Sequence, residues 1–271
     1  MNDKIKEITK QLEDGVKKFA NSTEYMDYLK FMSKFYNYSF NNSFLIWLQN
    51  PMASLVAGYK TWQTKFKRQV KKGEKGITIL APCPHKHQKE VLLDDGRIES
   101  EEVSWMGFRA VKVFDISQTE GEEVPTLDIK SLEGDVDMFD RLMDKLTAYA
   151  AIPVEYEEIK TGAKGYYNIA EDKIVLNKGM SQLQTIKTMV HETAHSKLHR
   201  KDGDEAKANR GTMEVQAESI AYTVCSYLGL DTSDYSFGYV GTWSSGQDLK
   251  ELTESMEVIR KTAQEIIQMV A

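Results

Sequence analysis

The stretch Met189-Val190-His191-Glu192-Thr193-Ala194-His195 decides the reading of this chain. It carries the pattern His-Glu-x-x-His inside a run that reads as helix, the arrangement that turns a helix into a zinc hydrolase site. Four residues of α-helix advance a little more than one turn, so His191 and His195 leave the same face and their imidazoles can share one cation. Glu192 does not compete for that cation, but its carboxylate can reach a metal-activated water and take its proton. With only 5 His in 271 residues, chance supplies this pattern roughly 0.01 times per chain. Leu183, Ile186, Val190 and Ala194 recur at helical spacing, which seats the segment against a core with its histidines toward a cleft.

A hydrolytic zinc needs a third protein ligand and one open position. His199 continues the ladder, but eight residues from His191 is about 12 Å along a straight helix, too far to close around one ion. The Gly-containing turn that returns a later histidine in metzincins is also absent. Thr212-Met213-Glu214-Val215-Gln216-Ala217-Glu218-Ser219 opens a second amphipathic helix running through Ala221, Val224, Cys225 and Leu228, with Glu214 and Glu218 on one face. By analogy with gluzincins, Glu214 is assigned as the third ligand and Glu218 as the acid that supports a ligating histidine. The alternative is two solvated carboxylates on an exposed face. Before the metal helix, Gly165 to Ile169 and Lys173 to Asn177 alternate like strands around Ala170-Glu171-Asp172, a hairpin that is either plain scaffold or an edge for an extended peptide. Tyr239 is a candidate oxyanion donor.

Length and a hydrophobic content of 41% fit two modest domains better than one, with a boundary at 125/126. The fold class expected is α+β. Residues 1–125 form an α+β unit, and residues 126–271 form a zincin-like, gluzincin-type metallopeptidase unit. Ile5, Ile8, Leu12, Val16 and Phe19 mark a first helix, followed by helices from Thr23 to Tyr36 and from Asn42 to Gln49. The turn Val70 to Gly76, whose glycines allow positive φ, leads into a strand Ile77 to Ala81. His85 to Glu102, with an Asp95-Gly96 turn, reads as an exposed hairpin or loop, and Gly107 to Ile116 as a further strand. His85 and His87 are read as a solvated pair. The acidic Glu120 to Asp135 segment is the linker, and helices from Asp137 to Ala150 and Asp248 to Val270 flank the metal unit. Met1 to Lys10 is charged, so no secretory signal is read, and no apolar run approaches membrane-spanning length. Cys83 and Cys225 make no disulfide framework, which fits a cytoplasmic protein with ordinary buried thiols.

The net charge of -6 argues against a general polyanion binder, but its distribution does not. Lys60, Lys65, Lys67, Arg68, Lys71, Lys72 and Lys75 stand against the single acidic Glu74. Such local density can neutralise phosphates. Tyr59, Trp62 and Phe66 interleave with it, with Trp47 upstream and Trp105 and Phe108 downstream. Lysines along a backbone beside rings that stack on unpaired bases are what single-strand binding requires. The competing reading places Trp62 and Phe66, four apart on a short helix, in the core, with the lysines as a solvated surface.

The run YSFNNSFLIWLQNPMASLVAGYKTWQ, followed by VKKGEKGITILAP and GFRAVKVFDISQTEG, resembles the N-terminal single-stranded-DNA-binding domain of the ArdC antirestriction family, over roughly Tyr38 to Gly121. The segments HETAHSKLH and MEVQAESIAYTVCSYLGL resemble the metallopeptidase domain that follows in those proteins, itself similar to ImmA/IrrE zinc peptidases. One departure matters: the family's metal helix ends in a Gly-containing extension, whereas Ser196-Lys197-Leu198-His199 follows here, so nothing beyond His195 is transferred. The resemblance implies a protein of mobile elements that binds single-stranded DNA, protects it from restriction, and carries a Zn2+ centre able to cleave a host or element protein. Two other readings remain: a DNA-binding protein whose peptidase fold is structural or regulatory, and a repressor-cleaving regulatory peptidase.

Overall fold

A computed structural model describes residues 3–16, 19, 22–92, 98–124, 136–201, 208–235, 237–238, 240–245 and 249–271. The Asp95-Gly96 turn, most of the acidic linker and Tyr239 lie outside these residues. The chain is mixed α and β, as its patterning implies. In order come α1 (Asp3–Val16), α2 (Ser22–Lys34), α3 (Phe40–Gln49), β1 (Val56–Gly58), α4 (Tyr59–Thr64), β2 (Arg68–Val70), β3 (Ile77–Leu92), β4 (Ile98–Asp115) and β5 (Thr119–Gly121). There follow α5 (Val136–Ala150), β6 (Val154–Glu157), β7 (Gly165–Asn168), β8 (Lys173–Asn177), α6 (Gln182–Leu198), α7 (Arg210–Tyr227), α8 (Val240–Ser245) and α9 (Leu249–Val270). No described helix is long and apolar enough to cross a membrane.

The expected strands 77–81 and 107–116 are the roots of one longer hairpin. β3 and β4 pair antiparallel without a break from Ile77↔Val113 to Leu92↔Ile98. At the root, Ile77, Ile79 and Val113 pack with Phe31, Phe35, Ile46 and Val56. The sequence beyond it is largely polar, so hydrophobic alternation does not reveal that it is strand. The outer edge of β3 is closed by two amide side chains of α3. Asn42 donates to Leu80 O (2.8 Å) and accepts from Leu80 N (2.9 Å), and Gln49 does the same at Thr78, with both bonds 2.9 Å. A strand edge satisfied in this way cannot recruit another strand there.

The basic segment folds around its own small core of Ala57, Trp62 and Val70, with Phe66 and Phe114 against it. Trp62 is fully buried and its indole N–H donates to Phe114 O at 2.9 Å. This corrects the expectation that Trp62 stacks on DNA, because a ring closed in on all sides offers no face to a base. Arg68 is also largely committed, donating to Thr119 and to the carbonyls of Gly121 and Glu122 across the β2–β5 pair. Lys60, Lys65, Lys67, Lys71, Lys72 and Lys75 are exposed. In the turn, Gly73 takes the positive φ of 92°. Gly76 is small for a different reason, since a Cβ there would sit 3.0 Å from both Lys112 Cβ and Phe114 Cζ.

The second sheet has the order β6-β8-β7, with β7 antiparallel and β6 parallel to β8. The expected hairpin is present. Its loop closes through Asp172 at φ 49°, with Asn168 Oδ1 accepting from the N–H groups of Ala170 and Glu171. β6 adds a third strand that the sequence reading lacks.

The largest core joins both halves of the chain. Phe19, Tyr25, Tyr28, Phe40 and Phe44 pack in one cluster with Leu146, Ile174, Val190, Ile220, Met256 and Ile266. At its centre Tyr25 OH and Ser219 Oγ, on α2 and α7, share a 2.7 Å hydrogen bond. Trp62→Ala should cost about 3–5 kcal/mol of folding free energy, read as a lowered midpoint in urea denaturation, whereas an exposed stacking residue would leave the midpoint in place.

Candidate metal centre

α6 starts where Ser181 caps it, its Oγ accepting from Gln184 N, and α7 starts where Asn209 accepts from Thr212 N. An oxygen-bearing cap fixes the first turn and therefore the rotational phase of every later side chain. Both helices are buried on most faces. Of the positions expected to seat α6, Ile186, Val190 and Ala194 are fully in the core while Leu183 is only half-buried.

Where the two helices meet, His191 Nε2 and His195 Nε2 lie 3.1 Å apart. Glu214 Oε2 is 3.6 Å from each of them. Ligand atoms 2.0–2.1 Å from a tetrahedral ion stand about 3.3–3.4 Å from one another, so this triangle has the dimensions of one face of such a site. Among the described residues, His191, His195 and Glu214 form the group whose donor atoms converge closely enough to hold an ion. The residue types suit Zn2+ or a similar borderline cation, with the remaining position open to the cleft.

The tautomers suit the same purpose. Glu218 Oε2 is 3.1 Å from His191 Nδ1, so the carboxylate accepts that N–H and leaves Nε2 to face the ion. On the other histidine the arrangement is longer. Gln216 Nε2 donates to Ser255 Oγ at 3.1 Å, which turns Gln216 Oε1 toward His199 Nε2 at 2.9 Å. His199 then donates from Nε2 and accepts through Nδ1 the N–H of His195 Nδ1, 2.8 Å away. His195 is left with a bare Nε2. His199, Gln216 and Ser255 are the functional residues the sequence reading missed. The i, i+4 ladder that excludes His199 as a ligand was also the one available sign that it stacks behind His195.

Electrostatics agree with the geometry. Burial disfavours the charged form of His191, but its hydrogen bonds to Glu214 and Glu218 outweigh this and raise its pKa to about 10. Glu214 is held far below the usual carboxylate range by hydrogen bonds to His191 and His195. Burial pulls His199 down to about 4, so it stays neutral as the relay requires. Glu192 is buried, and burial pushes its carboxyl up, against the pull of both histidines and a hydrogen bond from Tyr167 N–H.

Glu192, His191 and His195 open onto a cavity of about 490 Å³ walled on one side by β7, through Gly165, Tyr166 and Tyr167. Lys60, Lys65, Lys67, Arg68, Lys71, Lys72 and Lys75 line none of it; they belong to the other half of the chain. His85 lies on the β3–β4 arm, its ring stacked on Trp105 at 5.2 Å, while the side chain of His87 lies outside the described residues.

Residues 2–114 match the family model for the N-terminal domain of anti-restriction factor ArdC. An uncharacterised Bacillus anthracis protein, pXO2-81, is 29% identical over an alignment that covers 98% of this chain and 51% of that protein. The chain thus spans about half the length of that relative. The fold is similar to crystal structures of the antirestriction protein ArdC from plasmid R388. The metal-free form has a TM-score of 0.54 at 20% identity, covering 86% of this chain and 84% of that one. The Mn(II)-bound form has a TM-score of 0.51 at 19% identity, covering 86% and 83%.

A cation entering this site must displace the proton that His191 otherwise holds. Because that pKa lies near 10, affinity should rise with pH across 6–8, by up to about tenfold per unit for one released proton. Calorimetry in buffers of different ionisation enthalpy counts that proton; His195→Ala should abolish uptake, and pH-independent binding would exclude His191 as a ligand.

Proposed function

We propose that this protein is an ArdC-like antirestriction factor of a mobile genetic element, combining a single-stranded-DNA-binding surface with a zinc metallopeptidase centre. The observation that carries the enzymatic half is the triangle of His191, His195 and Glu214 with Glu192 in the same cavity. The similarity of residues 2–114 to the ArdC N-terminal domain supports the family and its DNA partner. The Mn(II) in ArdC from R388 supports a divalent ion in proteins of this fold.

When bound, Zn2+ supplies Lewis acidity that activates water and polarises a peptide carbonyl. The chain's own groups do the rest. Glu192 is a carboxylate whose pKa burial moves toward neutrality, which suits a group that accepts a proton from the attacking water and returns it to the leaving amine. Tyr167 N–H orients it. β7 is an outer strand of its sheet, so an extended peptide can pair with it, laying the scissile amide across His191 and Glu192. A host or element protein is the proposed substrate, and the cytoplasm the proposed place of action.

For DNA, the exposed lysines of the 60–75 segment supply phosphate contacts. Trp105 and Phe108 on β4, 50% and 54% exposed, supply stacking faces in place of Trp62. This moves the aromatic part of the interface from the basic turn onto the hairpin arm.

Glu192→Gln should keep metal stoichiometry while lowering hydrolysis of a cleaved protein by about 10²–10⁴-fold; undiminished hydrolysis would leave the fold with a structural or regulatory role. In fluorescence titrations with an oligonucleotide, Lys72→Ala with Lys75→Ala should flatten the dependence of log K on log salt by about 0.7 per lost contact. Trp105→Ala should weaken binding by about 1–3 kcal/mol with that slope unchanged. Unaltered titrations for both variants would move the interface elsewhere.

A further inference from the structure

Beside the metal cavity lies a second one of about 250 Å³ that shares Gly165, His191 and Glu192 with it. The two form one groove passing over Gly165, whose missing side chain is what lets β7 lie on α6. A Cβ there would come within 2.6 Å of Thr188 Cγ2 and 2.9 Å of Val175 O. A peptide crossing the candidate metal therefore has one of its side chains facing this second cavity.

Lys187 lines the cavity one helical turn before His191. Its side chain is only 5% exposed, yet its partner Asp234 is 58% exposed. The ammonium also lies 5.2 Å from the Tyr235 ring centroid. An ammonium has three N–H donors, and Asp234 is the hydrogen-bond acceptor it meets among the described residues. Its remaining donor capacity is available to the cavity, so a side chain that displaces water there must return an acceptor. Each carboxylate lining the cavity has a partner of its own: Glu218 has His191, Glu192 has Tyr167 N–H, and Asp234 has Lys187 itself.

Three kinds of substrate side chain can be compared. An apolar one removes water from Lys187 and returns no acceptor. A basic one would face Lys187, Lys164 at the rim and a bound cation, and could be matched only by drawing Asp234, Glu218 or Glu192 from the partners they already have. A carboxylate accepts from Lys187, is attracted by the nearby dication, and loses least on leaving water. We propose that this cavity is a side-chain subsite selecting an aspartate or glutamate next to the scissile bond, with Lys187 as its specificity residue and Asp234 as the carboxylate that the substrate competes with. The assignment rests on the metallopeptidase reading.

The test uses full-length zinc-loaded protein and matched peptide hydroxamates bearing a Glu, Gln, Leu or Lys side chain on either side of the chelating group, with binding measured by calorimetry. In one of the two placements, the Glu compound should bind about tenfold or more tightly than its isosteric Gln counterpart, with Leu and Lys weaker still. Lys187→Met should reduce the Glu/Gln ratio to below about threefold. Asp234→Asn, which keeps an acceptor beside Lys187 but removes the competing charge, should increase the ratio, with a thermal melt checking that the variant folds. Equal binding of Glu and Gln compounds by the wild type, or a ratio unmoved in Asp234→Asn, overturns the subsite. If none of the four binds more tightly to zinc-loaded than to zinc-free protein, the metallopeptidase reading itself fails and the subsite falls with it.

Discussion

The structure depends on one constraint: two imidazole nitrogens from α6 and a carboxylate from α7 must point at a common place, with the histidines partly buried and Glu214 at the open side of the cleft. His191 Nε2, His195 Nε2 and Glu214 Oε2 satisfy it within 3.1–3.6 Å. Such a cluster is unfavourable unless each nitrogen and oxygen has a defined partner. Glu218 fixes one ring, and the His199–Gln216–Ser255 relay fixes the other. The rings cannot rotate without breaking bonds that burial makes costly to lose. The caps at Ser181 and Asn209 set the phases of the two helices, and the absent side chain of Gly165 lets a strand close the cleft above them.

Behind this crossing the chain does not divide into independent layers. The first three helices cover the far side of α7 and α9. Besides Tyr25 and Ser219, Phe40 N–H donates to Glu257 at 2.7 Å and Arg260 donates to Tyr36 O at 3.0 Å. The basic turn rests on a small cluster of its own, and the root of the hairpin arm on a second one shared with Phe31 and Phe35 of α2 and Ile46 of α3. The proposed nucleic-acid surface is thus carried on elements outside the main cluster, while the helices beside it in sequence pack behind the candidate metal centre.

Much of this was readable without coordinates wherever one local pattern has one physical solution. The His191/His195 spacing, the hairpin around Asp172 and the pairing of Glu214 with Glu218 on one helical face belong to that class. What was not readable involves partners remote in sequence. Spacing excludes His199 as a ligand but says nothing of Gln216 across the helix interface. β6 presents four residues whose pairing depends on a parallel neighbour about twenty positions later, and the outer half of the β3–β4 arm is strand with a largely polar sequence. Trp62 shows the opposite limit. An aromatic among lysines satisfies both a stacking and a packing pattern, and only its enclosure by Ala57, Val70 and Phe66 decides between them.

The relay behind His195 ends at Ser255 on α9, which the ribosome makes well after the histidines. A ring whose donor is fixed by a hydroxyl on the last helix has no settled tautomer until that helix docks. Synthesis from the N terminus therefore leaves the candidate ion site incompletely ordered until the stretch around Ser255 has emerged and packed.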